Sequence, residues 1–203
     1  MISVISGDII NSRKTQSATW LKVLKKELSK WGDSPRQWNI YRGDSFQVEI
    51  KSATDALSAA FQIKAAIKSL KGMDVRMAIG IGEKEYSAKN ITESKGSAFI
   101  HSGELVEAHK KLKLNLWIRS SNATFDREMN LYLKLALIVM DSWTTNAAEA
   151  IHTSLQHPEK SQEAIGKLLG IKQNAISTRL KRACYNEIIA LNEMYQTKLA
   201  ELI

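Results

Sequence analysis

Apolar and polar positions change their period along this chain, and the changes mark out its elements. Met1-Ile-Ser-Val-Ile-Ser alternates, as a half-buried strand does, and runs into Gly7-Asp8 and the polar stretch Asn11-Ser12-Arg13-Lys14. From about Ser17 to Trp31 the spacing becomes three and four. Trp20, Leu21, Leu24 and Leu28 point inward there, while Lys22, Lys25, Lys26 and Lys30 form a solvated face. Trp38–Arg42 and Phe46–Ile50 read as strands, joined at a tight hairpin by Arg42-Gly43-Asp44-Ser45. A helix from about Thr54 to Leu70 follows, its buried side marked by Leu57, Ala60, Phe61, the stem of Lys64, Ile67 and Leu70. Val75–Gly82 is a fourth strand, a helix spans about Gly96 to Lys113, and Asn115-Leu-Trp-Ile adds an edge strand. The order β-α-β-β-α-β-α is the ferredoxin-like layout.

From Ala123 onward the pattern is helical throughout. Leu131, Leu135, Ile138 and Val139 give the first of these helices a strong apolar side, ended by Trp143. Asn146–His157 is a second, stopped by Pro158. The expected fold is therefore α+β, a ferredoxin-like domain over 1–120 followed by an all-α domain over 121–203.

Within that second half, residues 161–187 read as a helix-turn-helix. Ser161 is a good N-cap, Ile165, Leu168 and Leu169 follow at helical spacing, and Gly170 stops the helix. Ile171 plugs the turn, and a second helix from Gln173 to Glu187 turns Ala175, Ile176 and Leu180 inward. Its outward face carries Lys172, Gln173, Asn174, Ser177, Thr178, Lys181 and Arg182. Amides and hydroxyls read base edges and cations neutralise phosphates, so the expected partner is double-stranded DNA. The last helix extends the stripe through Ile188, Leu191, Tyr195 and Leu199, which serves either as the seam of a homodimer or as intramolecular packing. The run Gln-Glu-x-Ile-Gly-x-x-Leu-Gly-Ile-x-Gln-x-Ala-Ile-Ser-x-Arg-Leu-x-Arg-Ala, from Gln162, resembles the DNA-binding helices of sigma-factor region four.

Charge sharpens this picture. The chain has 29 Lys/Arg against 21 Asp/Glu, a formal +8, which favours polyanionic partners in general. Residues 1–120 carry 20 basic and 12 acidic side chains, whereas 121–203 carry nine of each. The basic front half thus calls for a phosphate-bearing ligand or auxiliary contact with DNA. Cys184, placed by the pattern inside the second helix of the pair, is the single cysteine, so no intramolecular disulfide forms. The most apolar run, Leu131–Met140, has ten residues and contains Lys134, too short and polar to cross a bilayer, and no signal segment opens the sequence. A cytoplasmic protein with no membrane partner is expected.

Asp8 ends the first strand and Asp44 sits on the hairpin, each preceded by Gly. Divalent ions that hold nucleotide phosphates take hard oxygen ligands, so the pair fits a metal site; Asp in such turns also caps local N–H groups. Together with Gly7–Lys14, the segments Arg42–Gln47, Arg76–Gly82 and Gly96–Phe99 resemble the SatD family over nearly the whole chain. Through the strand-ending Asp and the hairpin Gly-Asp, the front half is also similar to the palms of nucleotide cyclases, class III and GGDEF. That similarity implies Mg2+ at Asp8 and Asp44, and a nucleotide held by Asp8, Asn11, Ser12, Arg13, Arg42 and Asp44. Two departures stand against catalysis. Ser45 occupies the position where a GGDEF hairpin has Glu, and no Asn-x-x-x-Arg pair lies between Ser97 and Lys111. The expected function is a DNA-binding transcriptional regulator whose palm senses a nucleotide, with no catalytic residue assigned. The alternative is a metal-dependent nucleotidyl cyclase or transferase with a DNA-binding tail.

Overall fold

The computed structural model describes residues 1–14, 16–112 and 114–202. Five strands, β1 (Ile2–Ile10), β2 (Trp38–Tyr41), β3 (Ser45–Ile50), β4 (Asp74–Gly82) and β5 (Leu116–Arg119), form one mixed sheet in the order β2-β3-β1-β4-β5. Every neighbouring pair is antiparallel except β4 with β5. Eight helices accompany it: α1 (Ser17–Leu28), α2 (Ala56–Lys68), α3 (Ser97–Leu112), α4 (Ala123–Met140), α5 (Thr145–Gln156), α6 (Gln162–Leu169), α7 (Gln173–Arg182) and α8 (Tyr185–Ala200). The fold is α+β. The end expected for the third helix, Lys113, lies outside the described residues. No helix among the described residues is long and apolar enough to cross a membrane.

Alternation sorts the sheet into two faces. Ile5, Ile9, Phe46, Val48, Met77 and Ile79 belong to the core shared with Trp20, Leu24 and Leu28 of α1 and Leu57 and Phe61 of α2. The other face carries Ser6, Asp8 and Arg76, and α3 packs on it. Gly80 makes that approach possible, since a Cβ there would stand 2.2 Å from the Ala98 carbonyl oxygen. At the β5 edge, the Asn130 side chain accepts from Ile118 N–H and donates to Ile118 C=O, both at 2.8 Å, so α4 saturates part of an otherwise open strand.

The first strand is longer than its pattern predicts. Pairing with β4 runs unbroken from Ile2↔Gly82 to Ile10↔Asp74, so Asp8 lies inside β1 and not at its end. Gly7 makes no turn: a Cβ there would meet the Phe46 ring at 2.7 Å, and it is the small residue on which that ring packs.

The apolar side expected for α4 is not the one it buries. Phe125, Met129, Leu133, Leu137 and Met140 are buried, while Leu131, Leu135 and Ile138 are 56%, 57% and 71% exposed. The helix is apolar on two sides, and the sequence alone favours neither. The α8 stripe also resolves. Ile188, Leu191, Tyr195 and Leu199 are buried within the chain, the Tyr195 ring lies 6.1 Å from that of Phe125, and its hydroxyl donates to Ala53 C=O at 2.6 Å. Of the two alternatives open for the stripe Ile188–Leu199, dimer seam or intramolecular packing, the structure shows intramolecular packing. The core continues without a break from the sheet into α4, α5 and α8.

Candidate functional site

Two regions gather the residues singled out above. The first is the sheet end where β1 and the β2–β3 hairpin meet. Arg42 and Gly43 both have positive φ (51° and 91°), the backbone of a primed hairpin turn, and Gly43 fits it without strain. Ile9 N–H donates to Asp44 C=O at 3.1 Å, which holds the hairpin against β1. Asp8 lies opposite Ser45, the first residue of β3, so Asp44 on the hairpin is one residue from Asp8's partner. The Ser12 hydroxyl donates to Asp44 Oδ2. Asn11 takes φ 65°, a conformation Asn tolerates, and its amide donates to Gly72 C=O at 2.9 Å. A short 3-10 turn, Ser12–Lys14, follows and leaves Arg13 exposed beside the exposed Asn11 and half-buried Ser12.

The pattern missed Arg76. It is opposite Asp8 on β4, and its guanidinium lies 3.6 Å from Asp8 Oδ2. Its signal is present only in the register of two strands, which no local spacing reveals. Deeper on the same face, Gln47 donates to the Ser6 hydroxyl at 3.2 Å, and Ser6 meets the Ser102 hydroxyl at 3.0 Å. The Tyr41 hydroxyl, at the root of the hairpin, is pushed up by burial against the opposing pull of Arg42. Asp8, Asp44 and the Ser12 hydroxyl are hard oxygen donors suited to a divalent cation. Among the described residues no group of three His, Cys, Asp or Glu could hold a metal alone. A cation here would therefore complete its shell with phosphate and water oxygens, as Mg2+ ordinarily does.

A polar cavity of about 620 Å³ opens from this end. Asn11, Asp74, Asn115, Asp141, Thr144 and Thr145 are among the residues that line it. Beneath it lies an ion cluster. The Lys64 ammonium, fully buried, reaches Asp74 at 2.9 Å and Asp141 at 2.7 Å. Lys68 reaches Asp74 at 3.1 Å and the Asp141 carbonyl at 2.8 Å. The helical period placed Lys64 on the buried side, but as an aliphatic stem; its charge is buried too, satisfied by partners 10 and 77 residues away.

The second region is α7. The Ser161 hydroxyl caps α6 by accepting from Ala164 N–H at 3.2 Å, and Gly170 closes that helix at φ 66°. Ile171 N–H then donates to Gly166 C=O at 2.9 Å; a Cβ on Gly166 would lie 2.6 Å from the Ile171 oxygen, so the turn requires a glycine there as well. Ile176 and Leu180 are buried. Lys172, Gln173, Asn174, Thr178, Lys181 and Arg182 are exposed, and Ser177 is half-buried. Arg179 is drawn to the other side, 3.5 Å from Glu149 on α5.

The helix ends sooner than its pattern suggests. Arg182 is its last residue, Cys184 takes φ 53°, and α8 starts anew at Tyr185. Cys184 thus stands in the kink between helices and not within one. The Trp143 indole N–H donates to Ala183 C=O at 3.1 Å in a buried bond, which captures the carbonyl left at the break.

No curated protein and no solved structure matches the chain. A family model described as the SatD family matches residues 1–197, and the chain belongs to that family.

Proposed function

We propose that this SatD-family chain is a DNA-binding regulator whose sheet end senses a nucleotide or similar phosphorylated ligand. The observation that carries the reading is α7. One side of it is buried on α5 and α6, and the other is a continuous exposed row of amides, a hydroxyl and cations. The tight turn through Gly166 and Gly170 brings α7 back against α6, which supports reading the pair as a helix-turn-helix. Four of the seven residues proposed to meet DNA are uncharged, and among the described residues the three cations, Lys172, Lys181 and Arg182, make no salt bridge; the basic residue of α7 that does pair, Arg179, is not among the seven. Changing Lys181 and Arg182 together to Ala is expected to weaken binding to every duplex and to flatten its salt dependence. Changing Gln173 or Asn174 should instead alter sequence preference, by roughly 1–3 kcal/mol per base contact. A gel-shift titration in which the double variant binds as the parent does would refute this assignment.

Support for the sensing half comes from the strand order. Read as β4-β1-β3-β2, four strands follow the ferredoxin-like arrangement, with β5 added at the edge. The bond between Ser12 and Asp44 and the place of Asp8 opposite Ser45 support a site built from Asp8, Asn11, Ser12, Arg13, Arg42 and Asp44, to which Arg76 adds a cation beside Asp8. The proposed ligand set is Mg2+ at Asp8 and Asp44 with the phosphates on the cationic side chains. Asp44→Asn keeps the hairpin, because Asn accepts from Ser12 as Asp does, but removes the charge. Calorimetry with magnesium and a nucleoside triphosphate is expected to show binding by the parent chain and none by Asp44→Asn. Equal binding by both would make Asp44 a purely structural residue. The enzymatic alternative, a metal-dependent nucleotidyl cyclase or transferase, rests on the same carboxylates and predicts turnover of that triphosphate in the same samples.

A further inference from the structure

A pocket of about 280 Å³ lies where the turn after α4 faces the second half of α7. Ser142, Thr144 and Asn146 line it from the turn and the start of α5, and Thr178, Arg179 and Arg182 from α7. Its charge has one sign. Arg179 and Arg182 are three positions apart, about one helical turn. Among the described residues Arg182 makes no salt bridge and is exposed, while Arg179 has a single long one, 3.5 Å to Glu149. No carboxylate of the described residues lines the pocket. Its hydroxyl protons are unequally committed. Ser142 and Thr178 donate to the carbonyls of Val139 and Asn174, but the Thr144 hydroxyl accepts from Ala147 N–H at 3.3 Å and keeps its own proton to give. Two guanidiniums and a hydroxyl donor with no acidic wall select an oxyanion.

We propose that this pocket binds a phosphate group, held by Arg179 and Arg182 with the Thr144 hydroxyl as a further donor. The planar fork of a guanidinium matches phosphate oxygens two at a time, and a phosphate has oxygens enough to engage both forks. Sites that enclose a whole small molecule run to about 300–1,000 Å³. At about 280 Å³ this one takes the phosphate and leaves outside whatever carries it. Glu149, which does not line the pocket, is the competitor: it holds Arg179 only at 3.5 Å and yields it to a closer partner. Two sources present such a group, the backbone of duplex DNA lying along α7 and a free phosphorylated ligand. The site rests on the pocket and its charge. It requires neither that α7 reads bases nor that the sheet end holds a nucleotide.

Two titrations of the full chain test it. One uses inorganic phosphate at fixed ionic strength, followed by the unfolding temperature; the other uses duplex DNA across a salt series. Arg182→Gln is expected to weaken phosphate binding about tenfold and Glu149→Gln to strengthen it about tenfold, since the first loses a charge-assisted bond and the second frees Arg179. The gain from Glu149→Gln should vanish in an Arg179→Gln background, which separates the pocket from a general change of charge. Where the group belongs to the DNA backbone, the same pattern appears in duplex affinity, and Arg179→Gln lowers the salt slope by about one. A pattern confined to inorganic phosphate assigns the pocket to a free phosphorylated ligand, and one confined to the duplex assigns it to the backbone. Variants that keep the parent's circular dichroism spectrum and leave both titrations unchanged overturn the proposal, as does a Glu149→Gln gain that persists without Arg179. A parent that binds no duplex refutes the reading of α7 and leaves the phosphate titration to decide this one.

Discussion

Glu27 shows how a single buried charge joins the two halves of the molecule. It sits on α1 with 1% of its side chain exposed, and it is held by the His152 ring at 3.0 Å and by Lys30. Gln156, one turn beyond His152 on α5, also donates to it, at 3.4 Å. Burial, the largest influence, pushes its carboxyl up, but hydrogen bonds and charges from His152 and Lys30 together bring it below its ordinary value of 4.5. A carboxyl depressed on folding contributes stability that is present above the unfolded value and lost as pH falls through the lower, folded one. Glu27→Gln keeps the shape and removes that term. The variant is expected to be about 2 kcal/mol less stable than the parent at pH 6, as for buried hydrogen bonds to a charged group. The gap should narrow as pH drops below 4.5. Urea denaturation at pH 6 and pH 3.5 measures both gaps, and a gap independent of pH would mean that the carboxylate is not its source.

At the scale of elements, periodicity reports which residues are apolar but not what covers them. The strands and the helices before the α7–α8 break are foreshadowed by changes of period, because each is built on local alternation or three-and-four spacing. The α4 ridge and the α8 stripe show where this stops. Both are apolar rows of the same quality, yet Ile138 is 71% exposed and Leu199 is fully buried. The difference lies in tertiary packing: Tyr195 of α8 meets Phe125 and Ala53, whereas the α4 ridge stays open to solvent. Helix ends were legible where the residue itself makes the cap, as with Ser161 and Gly170. The break at Cys184 was not, because nothing about a cysteine favours φ 53°; its support comes from Trp143, forty residues away. The candidate sites divide in the same way. The outward row of α7 follows from one helix period, whereas Arg76 beside Asp8 follows from strand register and the Lys64 cluster from three separate elements.

The whole molecule behaves as one packed body by construction, and this decides how a ligand at the sheet end could reach α7. The core runs from Ile5 and Phe61 through Phe125 and Leu133 to Ile176 and Leu199 without interruption. Lys64 ties the start of β4 to the end of α4, and two residues past Asp141 the Trp143 indole holds the α7–α8 break. If the halves melt together, an equilibrium that either half biases is felt by the other, and coupling must then be reciprocal: a nucleotide that changes DNA affinity has its own affinity changed by the same factor. Calorimetry tests the premise. Specific unfolding enthalpies near 60 °C are about 0.7 kcal/mol per residue, so one cooperative unit of 203 residues has a transition enthalpy of about 140 kcal/mol. Two independent halves, 1–120 and 121–203, would instead give van't Hoff enthalpies of about 80 and about 60 kcal/mol. A single peak whose van't Hoff and calorimetric enthalpies agree is expected. Two resolved peaks would mean that the shared core does not couple the halves, and a ligand at Asp8 and Asp44 could then act on α7 only through direct contact.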